Sequence, residues 1–134
     1  MKYRFLEHTA DAKFQAFGKS LEESFSNAAL AMFSIMINPS KVKSKIKKKI
    51  EVEGKDKKSL LYGFLEEILF LFDTERFLLN KVEILEISKN KLKAVLIGDN
   101  MNDRYKLHGD VKAVTYSDME IKENPYLVQV VVDL

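Results

Sequence analysis

The chain has no cysteine. Disulfides, zinc–thiolate centres and cysteine nucleophiles are therefore excluded, and the composition suits a reducing compartment such as the cytoplasm. Glycine is scarce too, with five residues in 134, widely spaced. No phosphate-cradling loop or glycine-rich nucleotide turn is present, which argues against an enzyme that holds ATP or GTP by itself. Only two histidines occur, His8 and His108, and neither stands in a nucleophilic triad pattern. No apolar run approaches the roughly 18 residues of a membrane span. Met1-Lys2-Tyr3-Arg4 leads into no signal-peptide core. These absences describe a soluble, cytoplasmic protein with no membrane role. Neither sign of charge dominates, since the net charge is +2, so the molecule is not a polycation. The length fits one domain over residues 1–134, large enough to bury about two thirds of its unfolded surface.

What is present is ordered by hydrophobic period. Residues 2–6 have β character, and 13–17 alternate polar and apolar before stopping at Gly18. Ser20-Leu21-Glu22-Glu23 is a capping-box sequence that opens a helix. Leu21, Phe25, Ala28, Met32 and Met36 fall on one of its faces, and Asn38-Pro39 ends it. Residues 41–53 read as a strand with Lys41, Lys43, Lys45, Lys47 and Lys49 on one parity and Val42, Ile46, Ile50 and Val52 on the other. The lysine stripe is a solvated face or a guarded edge, or else a phosphate-contacting stripe. Without interleaved aromatics for base stacking, the solvated face is the preferred reading, and RNA contact is secondary. Residues 57–73 form a second helix with a broad apolar stripe interrupted by Glu66-Glu67, acids that sit at its rim or point at a partner. From Phe77 onward the pattern is β: 82–88 and 91–97 across a Lys89-Asn90 connection, a polar turn around 98–103, then 111–116, with 119–122 continuing or following it, and a β-branched strand over 126–132. The order β-β-α-β-α-β-β-β-β implies an α+β domain with two helices packed on one face of a mixed sheet.

Chemistry concentrates at the two ends. Phe5-Leu6-Glu7-His8-Thr9-Ala10-Asp11 places an acid, an imidazole, a hydroxyl and a second acid between two candidate strands. This is a polar turn bonding its own backbone, or a site. The far end, Val130-Val131-Val132-Asp133-Leu134, sets Asp133 beside the Leu134 carboxylate. If the last strand pairs beside the first, Asp11 joins them. Three converging carboxylates would repel unless a cation lay among them, and oxygen-only ligands favour Mg²⁺, Ca²⁺ or Mn²⁺ over zinc. The bland alternative is that Asp133 caps a turn and the terminus is solvated.

These same residues carry a resemblance. The segment 5–11, then Gly18-Lys19-Ser20-Leu21-Glu22-Glu23-Ser24-Phe25 with Ala28-Ala29 and Met32, resembles the N-terminal signature of the archease family. Phe64-Leu65-Glu66-Glu67-Ile68-Leu69 is similar to that family's second helix, with Phe64 where tryptophan is usual. Val111-Lys112-Ala113-Val114-Thr115-Tyr116 and Val130-Val131-Val132-Asp133-Leu134 are similar to its internal strand and its ending. Ser117 stands where the family often carries histidine, and Tyr126 replaces a late tryptophan. The resemblance implies an accessory protein, not an enzyme, that promotes guanylylation of the GTP-dependent tRNA-splicing RNA ligase and so permits multiple turnover in tRNA splicing and RNA repair. It implies a divalent metal ion held by Asp11, Asp133 and Leu134. It makes Lys112 a companion near that pocket, with Glu67 and His8 as further partner-activating candidates. Two other classes compete: a chaperone-like modulator of a tRNA-modifying enzyme such as a tRNA methyltransferase, and a free-standing metal-dependent hydrolase. The missing nucleotide motif and the lack of a base–nucleophile pair disfavour the hydrolase.

Overall fold

The computed structural model describes residues 1–7 and 11–134. The chain runs β1 (Tyr3–Leu6), β2 (Asp11–Gly18), α1 (Leu21–Ser34), a 3₁₀ turn (Pro39–Lys41), β3 (Ile46–Glu53), α2 (Lys57–Glu75), β4 (Phe77–Ile87), β5 (Lys91–Asn100), β6 (Ala113–Val114), β7 (Glu120–Glu123) and β8 (Tyr126–Asp133). The expected α+β class, the two helices and the order of the strands hold, with Glu120–Glu123 forming a strand of its own and bringing the strands to eight among the described residues. The strands distribute over two sheets, where the pattern suggested one mixed sheet, and every pairing among the described residues is antiparallel. One sheet has the path β1-β2-β8-β6, with β7 also on β8; the other is β3-β5-β4.

Each helix touches strands of both sheets. That explains why their apolar faces are so wide: a helix covered on two sides needs more than a single stripe. In α1 the small side chains of Ala28, Ala29 and Ala31 allow close approach, and all three are fully buried. Phe25 of α1 stacks on Phe64 of α2, ring centroids 6.3 Å apart, and Phe33 meets Phe72 edge-on at 5.9 Å. Four buried phenylalanines at one helix crossing make the centre of the core, each worth about 1.5–3 kcal/mol in transfer from water.

The helix caps are local chemistry. Ser20 Oγ accepts from the Glu23 N–H at 3.0 Å, as its spacing predicts, but the Glu23 carboxylate reaches one residue further, to the Lys19 N–H. In α2, Asp56 and Ser59 form a reciprocal capping box that the sequence reading did not single out. Arg76 ends α2 with φ 56°, in the left-handed region, its guanidinium 4.5 Å from the Phe72 ring centroid.

The strand expected over 41–53 begins only at Ile46. Residues 39–41 form the 3₁₀ turn instead, because Asn38 accepts from the Ser40 N–H and Asn80 Nδ2 donates to both the Pro39 and Val42 carbonyls. These bonds hold Val42 in the core away from any ladder. The lysine stripe is thereby shortened to Lys47 and Lys49, both exposed, while Lys48, of opposite parity, pairs with Glu75 at 2.6 Å. The polar turn expected around 98–103 also moves: β5 continues through Asn100, and Asp99 is buried.

Candidate functional site

Strand β8 is flanked on both sides, and this places its last residue among three chain segments. On one side β2 runs antiparallel, with Asp11 opposite Asp133. On the other side Ala113 of β6 is opposite Asp133, and the Lys112 N–H donates to the Asp133 carbonyl at 2.8 Å. Directly opposed residues of an antiparallel pair project from the same face with Cβ atoms about 4.5–5.5 Å apart. Asp11 and Asp133 therefore share a face. It is the outer one: Phe14 and Ala16 of β2 and Val130 and Val132 of β8, of the opposite parity, are buried in the core. Along that outer face Arg4 donates to Gln15, Gln15 donates to Gln129, and Lys13 lies 3.3 Å from Asp118. The two aspartates close this polar row at one end, and both are only partly exposed. Leu134, 46% exposed, follows Asp133 directly.

The two aspartate side chains at this tip are hard oxygen donors, of the kind that suits a hard divalent cation and not a thiophilic one. Among the described residues no three His, Cys, Asp or Glu side chains converge as a metal site. Asp11 and Asp133, predicted at the two ends of the sequence, are brought together. Lys112 and Glu67 are brought together as well, in a separate groove of about 390 Å³ between α2 and β6. His8 lies outside the described residues.

The model of the Archease protein family (MTH1598/TM1083) matches residues 3–134. The archease of Thermococcus kodakarensis is 40% identical over 99% of both chains, and that of Pyrococcus abyssi 38% identical over 99% of both. The chain belongs to the archease family. Among solved structures, the solution structure of Methanobacterium thermoautotrophicum protein 1598 is similar with a TM-score of 0.81 and 35% identity over 99% of both chains. A Thermotoga maritima archease, described as a possible chaperone, shares the fold with a TM-score of 0.61 at 20% identity, over 96% of this chain and 94% of that one.

In this archease the segment that delivers Lys112, between β5 and β6, is pinned at two points. Tyr105, buried, donates its hydroxyl to Asp99 Oδ2 at 2.7 Å and accepts the Lys43 N–H at 3.0 Å. The Tyr105 hydrogen bond, helped by the Asn100 N–H, holds the Asp99 carboxyl below the usual aspartate range, and burial pushes the Tyr105 phenol up. Three residues on, His108 Nε2 lies 3.0 Å from the Ser34 carbonyl, and the His108 N–H donates to the Met36 carbonyl at 2.9 Å. His108 is thus tied to the end of α1.

Glu66, read from the sequence with Glu67 as an acid at the rim or pointing at a partner, lines the α2–β6 groove besides Glu67 and Lys112; sequence reasoning did not connect Tyr62, Phe70 and Asp73 to it. Tyr62 stacks flat on Tyr116, centroids 4.3 Å apart and planes 8° from parallel. The available signal was spacing: Tyr62, Glu66, Phe70 and Asp73 recur at steps of four and three, one line along a helix.

Proposed function

We propose that this archease is an accessory protein that activates the GTP-dependent tRNA-splicing RNA ligase, promoting guanylylation of the ligase in tRNA splicing and RNA repair. The observation that carries the reading is the cross-strand placement of Asp11 and Asp133, with Leu134 next in the chain and Lys112 bonded through its backbone to Asp133. A chain with no nucleotide motif can speed guanylylation only by acting on the ligase's own site. Only interactions stronger in the transition state than in the ground state accelerate that step. Nucleotidyl transfer spreads negative charge over phosphate oxygens and a leaving pyrophosphate.

Asp11, Asp133 and the Leu134 carboxylate would hold Ca²⁺, Mg²⁺ or Mn²⁺, which supplies positive charge at the tip. Lys112, with its side chain exposed and in no ion pair among the described residues, supplies a second cation in trans, as an arginine finger does for phosphoryl transfer. Glu67, which lines the same groove as Lys112, and His8 are the further partner-activating candidates.

The test is a pair of measurements. Ligase guanylylation with GTP is followed with wild type, Asp133→Ala and Lys112→Ala, after thermal melting has established that the variants fold. Both variants should lose multiple-turnover ligation while pre-guanylylated ligase seals once without help. Calorimetric titration of Mn²⁺ or Ca²⁺ should show clear loss of binding in Asp11→Ala and in a chain extended past Leu134. A chaperone, the reading suggested by the description of the Thermotoga relative, would raise soluble ligase without changing the guanylylation rate of folded enzyme. Equal activation by wild type and both variants overturns the proposal.

A further inference from the structure

Large apolar side chains are few on this surface, and two of them flank one groove. Phe70 is 55% exposed and Tyr116 is 53% exposed. Phe70 sits on α2 at the groove, and Tyr116 follows β6 and stacks on Tyr62 of α2. Exposing Phe70 on a helix whose neighbours Leu69 and Leu71 are buried serves no packing purpose in the free protein. The ionic character of the groove is equally uneven: Glu66, Glu67 and Asp73 face one cation, Lys112. None of these four side chains is in an ion pair among the described residues. Glu66 also acts on both tyrosines. Burial and then a hydrogen bond with Glu66 push the Tyr62 phenol up; partial burial, then Asp56 and Glu66, do the same to Tyr116.

Flat aromatic surface beside carboxylates that have no cationic partner among the described residues is the environment that arginine fits. Its guanidinium stacks on aromatic faces and forks to a carboxylate, and it is weakly hydrated, so little is lost on leaving water. Aromatic residues exposed at the centre of a patch are the kind that dominate binding energy at protein interfaces. A lysine-rich or phosphate-bearing ligand is the poorer match: phosphate would meet three carboxylates, and an ammonium would gain little from the ring stack. The groove, about 390 Å³, takes one or two side chains and not a folded domain.

We infer that the α2–β6 groove, lined by Tyr62, Glu66 and Phe70 and flanked by Tyr116 stacked on Tyr62, docks an extended segment of a partner protein that carries an arginine beside an apolar side chain. The inference deepens the accessory-protein reading by giving the partner's docking segment a chemistry. It places the guanidinium beside the tyrosine stack, against the groove's carboxylates, and the apolar side chain against Phe70. Charge complementarity speeds and orients the encounter, and the aromatic contact sets its lifetime.

The probe is a fluorescein-labelled dodecapeptide of alternating arginine and leucine, titrated with the full chain and followed by anisotropy. Two control peptides replace leucine with serine, or arginine with glutamate. The arginine–leucine peptide should bind wild type and both controls should bind at least roughly tenfold more weakly. Phe70→Ser and Glu66→Gln should each weaken binding by a similar factor. Leu85→Ser, which removes an equally exposed apolar side chain on β4, should not. Equal binding of the arginine–serine peptide reduces the effect to bulk charge and overturns the inference. Unchanged binding in Phe70→Ser or Glu66→Gln, or an equal loss in Leu85→Ser, also overturns it. The guanylylation assay is separate: if ligase activation is absent but peptide binding follows this pattern, the docking groove stands and the ligase reading falls, and the converse result has the opposite meaning.

Discussion

Removing one oxygen from the loop that delivers Lys112 gives a quantitative test of how that loop is held. In Tyr105→Phe the ring still fills its buried place, but Asp99 Oδ2 loses a donor at 2.7 Å and the Lys43 N–H loses an acceptor at 3.0 Å. A hydrogen bond to a buried carboxylate is worth about 1.5–3 kcal/mol and a neutral one about 0.5–1.5. The expected loss is therefore about 2–4 kcal/mol. For a chain of this size that lowers the melting temperature by roughly 6–15 °C. The loss should depend on pH in one direction. Asp99 is held below the ordinary aspartate range, with Tyr105 as the largest cause, so its contribution to stability is complete above the unfolded value of about 3.9 and disappears as pH falls through the lower folded value. The gap between wild type and variant should be full at neutral pH and narrow below about pH 4. Urea unfolding followed by far-UV circular dichroism is the suitable assay, since the chain has no tryptophan. A variant within about 0.5 kcal/mol of wild type at neutral pH, or a gap that stays constant into acid, would refute the reasoning.

Two further expectations follow from packing and from charge. A Cβ at Gly98 would collide with the Leu78 carbonyl oxygen of the neighbouring strand, so Gly98→Ala should displace β4 from β5 and give little folded protein, read by circular dichroism and amide exchange. Changing Lys43, Lys45 and Lys47 to serine should leave any ligase activation within a few-fold at moderate salt, because only Lys47 lies on a strand and its side chain is solvated; complete loss would make the lysines part of an RNA contact.

Most of the secondary structure was legible because it is amphipathic. The steps of three and four in α1 and α2, the alternation in β2 and the β-branched run of β8 mark residues that the structure buries. Two features were not legible, for different reasons. The alternation of lysine and apolar residues over 41–45 imitates a strand, but Asn80, far along the chain, bonds the Pro39 and Val42 carbonyls and takes that backbone out of any ladder. The division into two sheets is likewise a long-range fact: period reports that one face of a strand is buried, not which neighbour buries it. At the site, Asp11 and Asp133 could be suspected together because both stand at the ends of strong strand patterns, and the β2–β8 register joins them. The Tyr62–Tyr116 stack had no such signal, since one partner lies in a helix and the other beyond a two-residue strand.

The position of β8 inside its sheet has a consequence for how the molecule is made. A chain leaves the ribosome from its N-terminus at about 5–20 residues per second. The β1–β2 hairpin emerges first, yet the inner edge of β2 waits for residues 126–133. At that pace the edge stays unpaired for roughly five to twenty seconds, with Phe14 and Ala16 uncovered beside it. Newly made chains are therefore most exposed to sticking to one another during this interval, and slow translation of the middle of the message prolongs it. Asp11 is made long before its opposite number, so a chain that has not yet reached residue 133 cannot display the acidic tip.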